Sequence, residues 1–383
     1  MNILTNALLL NDRFSGMQYS TELLLQAISH LNSSFTDNNH IEVLISKDYA
    51  GNLNNKGNLR IKKLPFSTLN RSKRIRYENI GLPQYFAENK FNIYHATGNL
   101  LPFFSTIPSI LTVHDLVPVD YPRYVPAETF LYYKLFLARS IHKAQRIIAV
   151  SHKVKEDIVR RFNIPESGIQ VIYHGVEAQF KKVVDEQQLT AVIQKYSLPG
   201  RFLLFVGNLE PKKNLVRLIE AFIYLKKQFN IEHKLVIVGK RGWKYENIIR
   251  ERKGEDMEGH ILFTGYVERK DLPAIYSLCD LFVFPSLYEG FGLPVLEAMA
   301  CGAPVLVSDQ GALPEITGHI YPRANAFDVK DIAAKIYLLL KDQGVRAQNI
   351  AHGTDRAKYF SWEKTARETL DVYDRFTKTR MTN

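Results

Sequence analysis

The chain has 383 residues, of which 46% are hydrophobic and 23% are charged, and its formal net charge is +11 at pH 7. This length accommodates two domains of ordinary size, and the composition is too apolar for a disordered chain. No stretch approaches the ~20 consecutive apolar residues that a membrane-spanning helix needs. The N-terminal segment MNILTNALLLNDRF has no basic residue before its apolar run, so it predicts a first strand and not a signal peptide.

The first half of the chain predicts alternating strands and helices. Strands are expected at residues 2–8, 41–46, 109–113, 146–150 and 170–173, and helices at 17–31, at 127–143 and from about 153, where Ser151 is a suitable N-cap. Gly16 falls in the predicted loop after the first strand, where a glycine permits close approach between backbone and ligand, although most such glycines only make the turn. His114 and Asp115 follow the strand at 109–113 and should lie on the same edge of the sheet.

One segment of the first half concentrates positive charge. Residues 56–76 contain no acidic residue and eight basic ones, which are Lys56, Arg60, Lys62, Lys63, Arg71, Lys73, Arg74 and Arg76. Such a run is usually a solvated face, but it would also suit an anionic membrane surface or a pyrophosphate-bearing acceptor. Nucleic acid is a weaker interpretation, because no recognised nucleic-acid motif is present and only two aromatic residues, Phe66 and Tyr77, accompany the run.

The second half repeats the pattern. Strands are expected at residues 202–206, 234–238, 261–264 and 280–284, and helices at 215–226, 294–299, 328–340 and 365–376. Two successive series of strand–helix pairs predict an α/β protein with two doubly wound parallel sheets. The polar stretch at residues 178–200 is the expected seam between them. The two cysteines, Cys279 and Cys301, are expected to be buried free thiols, as is usual in a reducing cytosol.

The stretch PSLYEGFGLPVLEAMACGAPVLVSD, residues 285–309, organises the second half. Glu289 and Glu297 are separated by seven residues, and Gly290, Phe291, Gly292 and Leu293 lie between them. The order strand, glycine loop, helix N-terminus directs unpaired N–H groups at one point, which suits a phosphate. Glu297, in the expected first helical turn, could accept hydrogen bonds from two ribose hydroxyls. The alternative is an ordinary βα corner in which Glu289 is solvated and Glu297 neutralises the helix dipole.

A second segment, GNLEPKKN at residues 207–214, also joins a strand to a helix. Lys212 and Lys213 would lie near that helix N-terminus, where a lysine suits a diphosphate, although both could be solvated surface residues. His114 has a structural alternative of the same kind, since a lone histidine at a strand end usually serves the fold. No cysteine–histidine cluster, Asp-x-Asp triplet or helical histidine pair is present, so no metal site is expected.

Residues 285–307 resemble the signature of the retaining nucleotide-sugar glycosyltransferases of family 4, whose glutamate pair has this spacing. GNLEPKKN resembles the second signature of that family, in which a lysine at the position of Lys213 binds the donor diphosphate. Many members carry an arginine early in this motif or just before the lysine, and here Asn208 and Lys212 stand in those places. TVHDLVP, around His114, resembles the histidine–aspartate motif that approaches the transferred sugar. RFSGMQYS, around Gly16, resembles the family's loop that faces the donor diphosphate. LFTGYV, at residues 262–267, resembles the family's segment beside the nucleobase.

The resemblance implies a GT-B fold, in which two Rossmann-like domains face each other across a cleft. Residues 1–177 would bind the acceptor, residues 178–360 would bind the nucleotide sugar, and the final helix, 361–383, would return to the first domain. The implied catalytic residues are His114, Lys213 and Glu289. The implied donor-binding residues are Gly16, Gly207, Asn208, Lys212, Lys213, Tyr266, Val267, Glu289, Gly290, Phe291, Gly292, Leu293 and Glu297.

The same resemblance implies a retaining, metal-independent transfer of a hexose from a nucleotide-diphosphate sugar, with no cofactor. GDP-mannose is the first choice of donor, and the acceptor would be a glycan or lipid-linked saccharide in cell-surface polysaccharide synthesis. The enzyme would be cytoplasmic, with residues 56–76 available for contact with the inner face of the membrane. Three alternatives stay open: a non-catalytic sugar-nucleotide-binding relative, a sugar-nucleotide epimerase and a glycan phosphorylase.

Overall fold

The computed structural model describes residues 1–10, 16–31, 40–243, 245–246, 257, 259–318, 320 and 322–381. The chain forms two compact units. The first consists of Met1–Pro122, Ala127–Gly175 and Ser361–Asn383, and the second of Arg123–Pro126 and Val176–Phe360.

The first unit contains a seven-stranded parallel sheet with the order β3-β2-β1-β4-β5-β6-β7. Its strands are β1 (Asn2–Ala7), β2 (His40–Ile45), β3 (Leu59–Lys63), β4 (Ile93–Ala96), β5 (Ser109–Val113), β6 (Arg146–Ala149) and β7 (Ile169–Val171). Its helices are α1 (Gly16–His30), α2 (Arg71–Arg76), a π-helical turn (Tyr77–Gly81), α3 (Leu82–Glu88), α4 (Val117–Asp120), α5 (Ala127–Lys143), α6 (His152–Phe162) and, at the end of the chain, Trp362–Met381.

The second unit contains a six-stranded parallel sheet with the order β10-β9-β8-β11-β12-β13. Its strands are β8 (Phe202–Val206), β9 (Lys234–Val238), β10 (Ile261–Gly265), β11 (Leu281–Phe284), β12 (Val305–Ser308) and β13 (Arg323–Ala324). Its described helices are α7 (Glu186–Tyr196), α8 (Leu215–Phe229), α9 (Leu272–Leu278), α10 (Leu293–Ala300), α11 (Leu313–Thr317), α12 (Val329–Lys341) and α13 (Gln343–Ala357).

The central strands are apolar along their whole length because helices cover both faces of such a sheet. Every residue of β8 and β11 is buried. The rings of Phe205, Phe282 and Phe284 stack across these two neighbouring strands, with centroid separations of 5.6 and 5.7 Å. This rigid apolar centre fixes the carboxyl ends of β8 and β11, and the loops that follow them form the candidate site.

The predicted alternation of strands and helices is confirmed in both units. The bounds of β5, β8, β9 and α5 are those expected, and Ser151 caps α6 by accepting a hydrogen bond from the backbone N–H of Val154 at 3.1 Å. Cys279 and Cys301 are buried and free, also as expected.

Two elements differ from the expectation. The polar stretch at 178–200 contains α7, whose first turn is capped by the side chain of Asp185. The basic run includes the edge strand β3, of which only Leu59 is buried. Charged residues are a usual feature of edge strands, since they discourage pairing with other chains, and they mask the strand in the sequence. Among the helices in the described part of the chain, none is both long and apolar enough to span a membrane.

Candidate active site

The central feature of the second unit is an ion pair between Lys213 and Glu289. The Lys213 Nζ donates to Glu289 Oε1 at 2.6 Å, and the two side chains are only 12% and 10% exposed. The same ammonium lies 4.9 Å from the centroid of the Phe284 ring. A lysine and a glutamate 76 positions apart are therefore joined in a nearly buried pair, at the carboxyl edge of the sheet where open α/β folds bind ligands.

The pair forms because β8 and β11 are neighbours in the sheet. The loop after β8 makes one 3-10 turn, Pro211–Lys213, and then enters α8. Its backbone is joined to the loop after β11, since the N–H of Leu287 donates to the carbonyl of Lys212 at 2.8 Å. Asn214, with a left-handed φ of 61°, donates from its side chain to the carbonyls of Pro285 and Ala326. These bonds hold the two loops in register.

A third loop, between β12 and α11, contacts the backbone of Glu289. The carbonyl of Glu289 accepts a hydrogen bond from the N–H of Ala312 at 2.8 Å. Gly311 has a φ of 62°, and a Cβ at that position would lie 2.5 Å from the Glu289 carbonyl oxygen. A glycine is required there for both reasons. The position of the Glu289 backbone thus depends on the loop between β12 and α11.

The charge of Glu289 follows from this environment. Burial by itself would raise the pKa of Glu289, but the ammonium groups of Lys213 and Lys212 outweigh it, and the pKa lies below its ordinary value. The carboxylate is therefore ionised at neutral pH, ready to accept hydrogen bonds.

Three adjacent strands of this sheet end in glycine. Gly207, Gly239 and Gly265 follow or end β8, β9 and β10, and all three have positive φ values, of 157°, 152° and 73°. A Cβ at Gly239 would lie 1.9 Å from the Gly207 carbonyl, and one at Gly207 would lie 3.8 Å from Lys213 Cε. Glycine thus lets these loops pack closely. Because Gly207 and Gly239 are only half-buried and Gly265 is exposed, part of the backbone beside the lysine stays open to the close approach of a ligand.

The predicted residues around these glycines have different exposures. Asn208 is half-buried, and its amide lies 3.4 Å from Glu210 Oε1. Tyr266 is 53% exposed, with the Lys240 ammonium 4.5 Å from its ring centroid, whereas the neighbouring Val267 is buried. Tyr266 therefore presents an aromatic face beside a cation, while the Val267 side chain belongs to the core.

The glycine loop between the two glutamates leads directly into α10. Gly290 and Phe291 are buried, and the ring of Phe291 packs edge-on against Phe360 at a centroid distance of 5.8 Å. Gly292 has a φ of 107°, a value that favours glycine, and it is the N-cap of the helix that begins at Leu293. The helix N-terminus therefore lies directly after Glu289, in the strand–loop–helix order that suits an anion.

The environment of Glu297 differs from the expected one in position and partners. Because α10 begins at Leu293, Glu297 is its fifth residue and lies beyond the first turn, which corrects the prediction. Glu297 is buried, accepting from Arg269 Nη2 at 2.8 Å and from the Tyr276 hydroxyl at 3.1 Å. Arg269 also pairs with Glu177. Burial raises the pKa of Glu297, and Arg269 offsets the increase only in part.

His114 and Gly16 lie in the first unit. His114 follows β5, and its Nε2 contacts the carbonyl of Thr97 at 2.7 Å, while its backbone N–H donates to Asn99 Oδ1 at 2.7 Å. Burial lowers the pKa of His114, with the Thr97 hydrogen bond opposing it. The ring is therefore neutral at pH 7, and because a carbonyl only accepts, Nε2 carries the hydrogen and Nδ1 is an acceptor. Gly16 is exposed and is the first residue of α1, instead of part of the preceding loop.

Sequence reasoning missed four residues that position the candidate site residues within their own units: Asn99 in the first unit, and Asn214, Arg269 and Gly311 in the second. Asn99 and Asn214 both have left-handed φ values near 61°, which asparagine tolerates better than most residues. An asparagine immediately after a glycine, in TGN, or after a charged pair, in KKN, is the only signal available for them. Arg269 carries no such signal, since its partners Glu177 and Glu297 are distant in the sequence.

The chemistry of the second-unit site is that of a cation and a carboxylate beside uncovered backbone. Lysine and helix N-termini can meet a diphosphate, and the carboxylate of Glu289 can accept from sugar hydroxyls. Within the described ranges, no three or more histidine, cysteine, aspartate or glutamate side chains are grouped so that they could hold a metal ion.

Two family models match the chain. The model described as "Glycosyl transferases group 1" matches residues 191–356, and the one described as "Glycosyltransferase Family 4" matches residues 29–180. They cover the site of the second unit and most of the first unit respectively.

Individual proteins give a consistent result. The chain is 34% identical over 282 residues to O-antigen chain mannosyltransferase B of Escherichia coli, covering 73% of this chain and 74% of that protein. It is 32% identical over 272 residues to the serotype-specific mannosyltransferase WbdA of Escherichia coli, and here the match spans only 33% of the longer relative. Among solved structures, sucrose-phosphate synthase from Thermosynechococcus elongatus superposes with a TM-score of 0.78 at 20% identity, over 99% of this chain and 100% of that one.

Proposed function

This chain belongs to the family 4 glycosyltransferases of GT-B fold, and on that basis we propose that it transfers a hexose from a nucleotide-diphosphate sugar to a glycan or lipid-linked saccharide. The observation that carries the proposal is the buried pair of Lys213 and Glu289 beside the glycine-lined edge of the second sheet. One member of the pair suits a diphosphate and the other suits a sugar.

The pair also supplies a simple binding mechanism. In this structure the Lys213 ammonium is neutralised by Glu289 at 2.6 Å. A diphosphate carries more negative charge than one carboxylate, so it competes for the ammonium and leaves Glu289 free to accept from sugar hydroxyls. Lys213 then stabilises charge that grows on the leaving diphosphate, an effect of about 3 kcal/mol by analogy with oxyanion donors. Lys212, Gly207 and Asn208 extend the same anion site.

The remaining donor contacts are assigned by position. The backbone of Phe291, Gly292 and Leu293, at the start of α10, would meet the sugar and phosphate. Tyr266 and the backbone at Val267 would lie beside the nucleobase. Glu297 would accept hydrogen bonds from the ribose hydroxyls. It can do so while bonded to Arg269 and Tyr276, since each carboxylate oxygen accepts more than one hydrogen bond.

In the first unit, Gly16 would face the donor diphosphate, as the family resemblance implies. The neutral ring of His114, with Nδ1 as an acceptor, suits a sugar hydroxyl, and we assign it to the transferred sugar on the same basis.

We propose a retaining transfer in which the acceptor hydroxyl attacks from the side of the leaving group and a phosphate oxygen takes its proton. No protein carboxylate is then needed as the base, and Lys213 takes the place that a divalent cation would have on the diphosphate. Full turnover in excess chelator, with an α-linked product from an α-linked donor by NMR, is the expected result. Strict dependence on a divalent cation, or an inverted product, would contradict this scheme.

GDP-mannose is the proposed donor and cell-surface polysaccharide synthesis the proposed context. They are supported by the relatives of the chain, since the 34% identical protein is an O-antigen chain mannosyltransferase. A thermal-shift panel of GDP-, UDP-, ADP- and dTDP-sugars tests the donor directly, because a ligand at 100 times its Kd stabilises the fold by about 2.7 kcal/mol. A larger thermal shift with a sugar of another nucleotide would identify that sugar, and not GDP-mannose, as the donor.

Turnover tests the site itself. Lys213→Ala and Glu289→Ala are each expected to lower nucleotide release from the identified donor by at least tenfold while the fold survives. Lys227→Ala, at an exposed position of α8, is the matched control and should retain full turnover. If both site variants release nucleotide within twofold of the wild-type rate, the site is misplaced.

Contact with an anionic membrane is a further part of the proposal. Six of the eight basic residues in 56–76 are exposed, and α5 exposes two apolar side chains, Leu131 (55%) and Leu135 (61%). Each basic residue near an anionic surface contributes roughly 1 kcal/mol. Salt-sensitive co-sedimentation with vesicles containing anionic lipid, but not with neutral vesicles, is expected, and equal retention by both would contradict it.

A further inference from the structure

A cavity of about 280 Å³ lies in the first unit, and none of the proposed donor-binding or catalytic residues lines it. It opens at the carboxyl edge of the sheet, where Asn6 near the end of β1 and Ala96 at the end of β4 form part of its wall. The other walls come from α2, the π-helical turn, α5 and the loop after β4. Its volume is near the lower end of the range for small-molecule pockets, ~300 to 1,000 Å³, so it suits a group the size of one sugar phosphate.

Two arginines of the basic run turn into this cavity. Arg71 and Arg74 line it and are half-buried, whereas the other six basic residues of 56–76 are exposed. The run therefore has two parts with different surroundings, a solvated face and a pair of guanidinium groups in a pocket. Guanidinium groups match the oxygens of phosphates in a fixed two-pronged geometry.

Arg74 has unused hydrogen-bonding capacity. Its Nε is buried and has no hydrogen-bond partner among the described residues. The nearest acidic group is Glu78, whose Oε2 lies 3.8 Å away, close enough for an ion pair but too far for a hydrogen bond. A buried donor left without an acceptor costs about 1–3 kcal/mol, and an oxygen-rich ligand would remove that cost.

The acids beside the arginines do not neutralise the pocket. Glu78 is held on its other oxygen by Asn6 at 3.1 Å, and burial raises the pKa of Glu78 in spite of Arg74. Glu128, 3.6 Å from Arg71, has a side chain that is 79% exposed and contributes little. Two guanidinium charges therefore face one buried carboxyl, which leaves an excess of positive charge in the cavity.

An aromatic wall completes the cavity. The rings of Tyr132 and Phe136 on α5 have a centroid separation of 4.8 Å, and the guanidinium of Arg71 lies 5.0 Å from the Tyr132 centroid. Flat aromatic surfaces suit the apolar C–H face of a pyranose ring, as in other pockets where a few polar groups fix the ligand's orientation. An anion site thus adjoins a surface for a sugar.

We propose that this cavity binds the phosphoryl group on the anomeric carbon of the acceptor's reducing-end sugar, with Arg74 and Arg71 on the phosphate and the pyranose against Tyr132 and Phe136. The inference rests on the proposed transferase function, because it assigns a place to the acceptor of that reaction. The phosphoryl group could belong to a soluble sugar 1-phosphate or to a lipid diphosphate, which share this chemistry.

The test compares acceptors that differ only at the reducing end. Three mannosides serve as probes with the full chain: mannose 1-phosphate, an alkyl diphosphate mannoside and a neutral alkyl mannoside. Arg74→Gln is expected to raise the KM of both phosphorylated acceptors at least tenfold while changing that of the neutral one less than twofold. Lys134→Gln, which removes an exposed charge from α5 outside the basic run, is the matched control and should change none of them. An increase confined to the alkyl diphosphate would identify the lipid-linked source.

Two further measurements keep the inference separate from the transferase function. Donor KM and donor hydrolysis without acceptor should be unchanged in Arg74→Gln, and Arg74→Lys, which retains the charge, should give an intermediate KM. If the wild type shows no transfer, titration of mannose 1-phosphate in the Lys213→Ala background decides the matter, since the donor site is then weakened. Binding lost with Arg74→Gln but kept with Lys134→Gln would support the cavity. Equal KM changes for all acceptors, or binding indifferent to Arg74, would overturn it.

Discussion

The Lys213–Glu289 pair makes a quantitative prediction about stability as well as turnover. Lys213→Met keeps most of the side-chain volume but removes the ammonium, so the nearly buried Glu289 carboxylate is left uncompensated. Breaking a buried pair on one side costs 3–5 kcal/mol in general, and because Lys212 remains nearby we expect the lower end, about 3 kcal/mol in the free energy of unfolding at pH 7. A loss of that size leaves an ordinary protein folded.

The sign of the pH dependence is fixed by the pKa of Glu289, which the pair holds below its ordinary value of 4.5. A carboxyl with a depressed pKa stabilises the fold above the unfolded value, and this contribution is lost as pH falls through the folded one. The difference between wild type and Lys213→Met should therefore be largest near neutral pH. It should shrink as pH falls, first because the uncompensated carboxyl of the variant takes up a proton, and then, below about pH 4.5, because wild type loses its own contribution.

Chemical denaturation at several pH values measures the effect. Adding Glu289→Gln to Lys213→Met should recover stability to within about 1 kcal/mol of wild type, because the orphaned charge is removed, whereas turnover should stay low. Lys227→Met, on the surface of α8, controls for loss of a lysine. The reasoning is refuted if Lys213→Met unfolds within 0.5 kcal/mol of wild type and the second substitution adds nothing.

Two other substitutions test the surroundings. Gly311→Ala should lower both stability and turnover, because its Cβ would displace the Glu289 carbonyl 2.5 Å away. Gly302→Ala is the control: it is also at positive φ but its nearest contact is at 3.8 Å, so it should lower stability by only ~1 kcal/mol and leave turnover intact. Equal turnover in the two variants would contradict this. Burial lowers the pKa of His95 to about 3, so the unfolded chain binds a proton that the folded one does not, and stability should be lost as pH falls below 6.5. Relative to His95→Gln, the free energy of unfolding of wild type should fall by about 1.4 kcal/mol per pH unit between pH 6.5 and 4, as measured by denaturant titration. The exposed-site control His142→Gln should follow wild type. Parallel pH profiles for wild type and His95→Gln would contradict the prediction.

Much of the architecture could be predicted from local pattern. Short apolar runs such as Phe202–Val206 and Lys234–Val238 can only be buried parallel strands when helices follow them, and their bounds are those predicted. Two elements, β3 and α7, were not predicted because their local hydrophobic pattern is weak. In β3 (Leu59–Lys63) only one residue is buried, and α7 (Glu186–Tyr196) buries only Val192, so neither has a strong periodic signal.

The sequence by itself determined the family, the two parallel sheets and the residues that stand at strand ends, because hydrophobic period and loop motifs are properties of neighbouring residues. Only the tertiary structure decided which of those residues meet. Three contacts show this: Lys213 pairs with Glu289, Arg269 pairs with Glu297, and Arg71 and Arg74 line a cavity although they belong to a largely solvated run. All three depend on the order of the strands and on which helix face is buried. Those contacts join positions far apart in the chain, and no local preference of either partner specifies them.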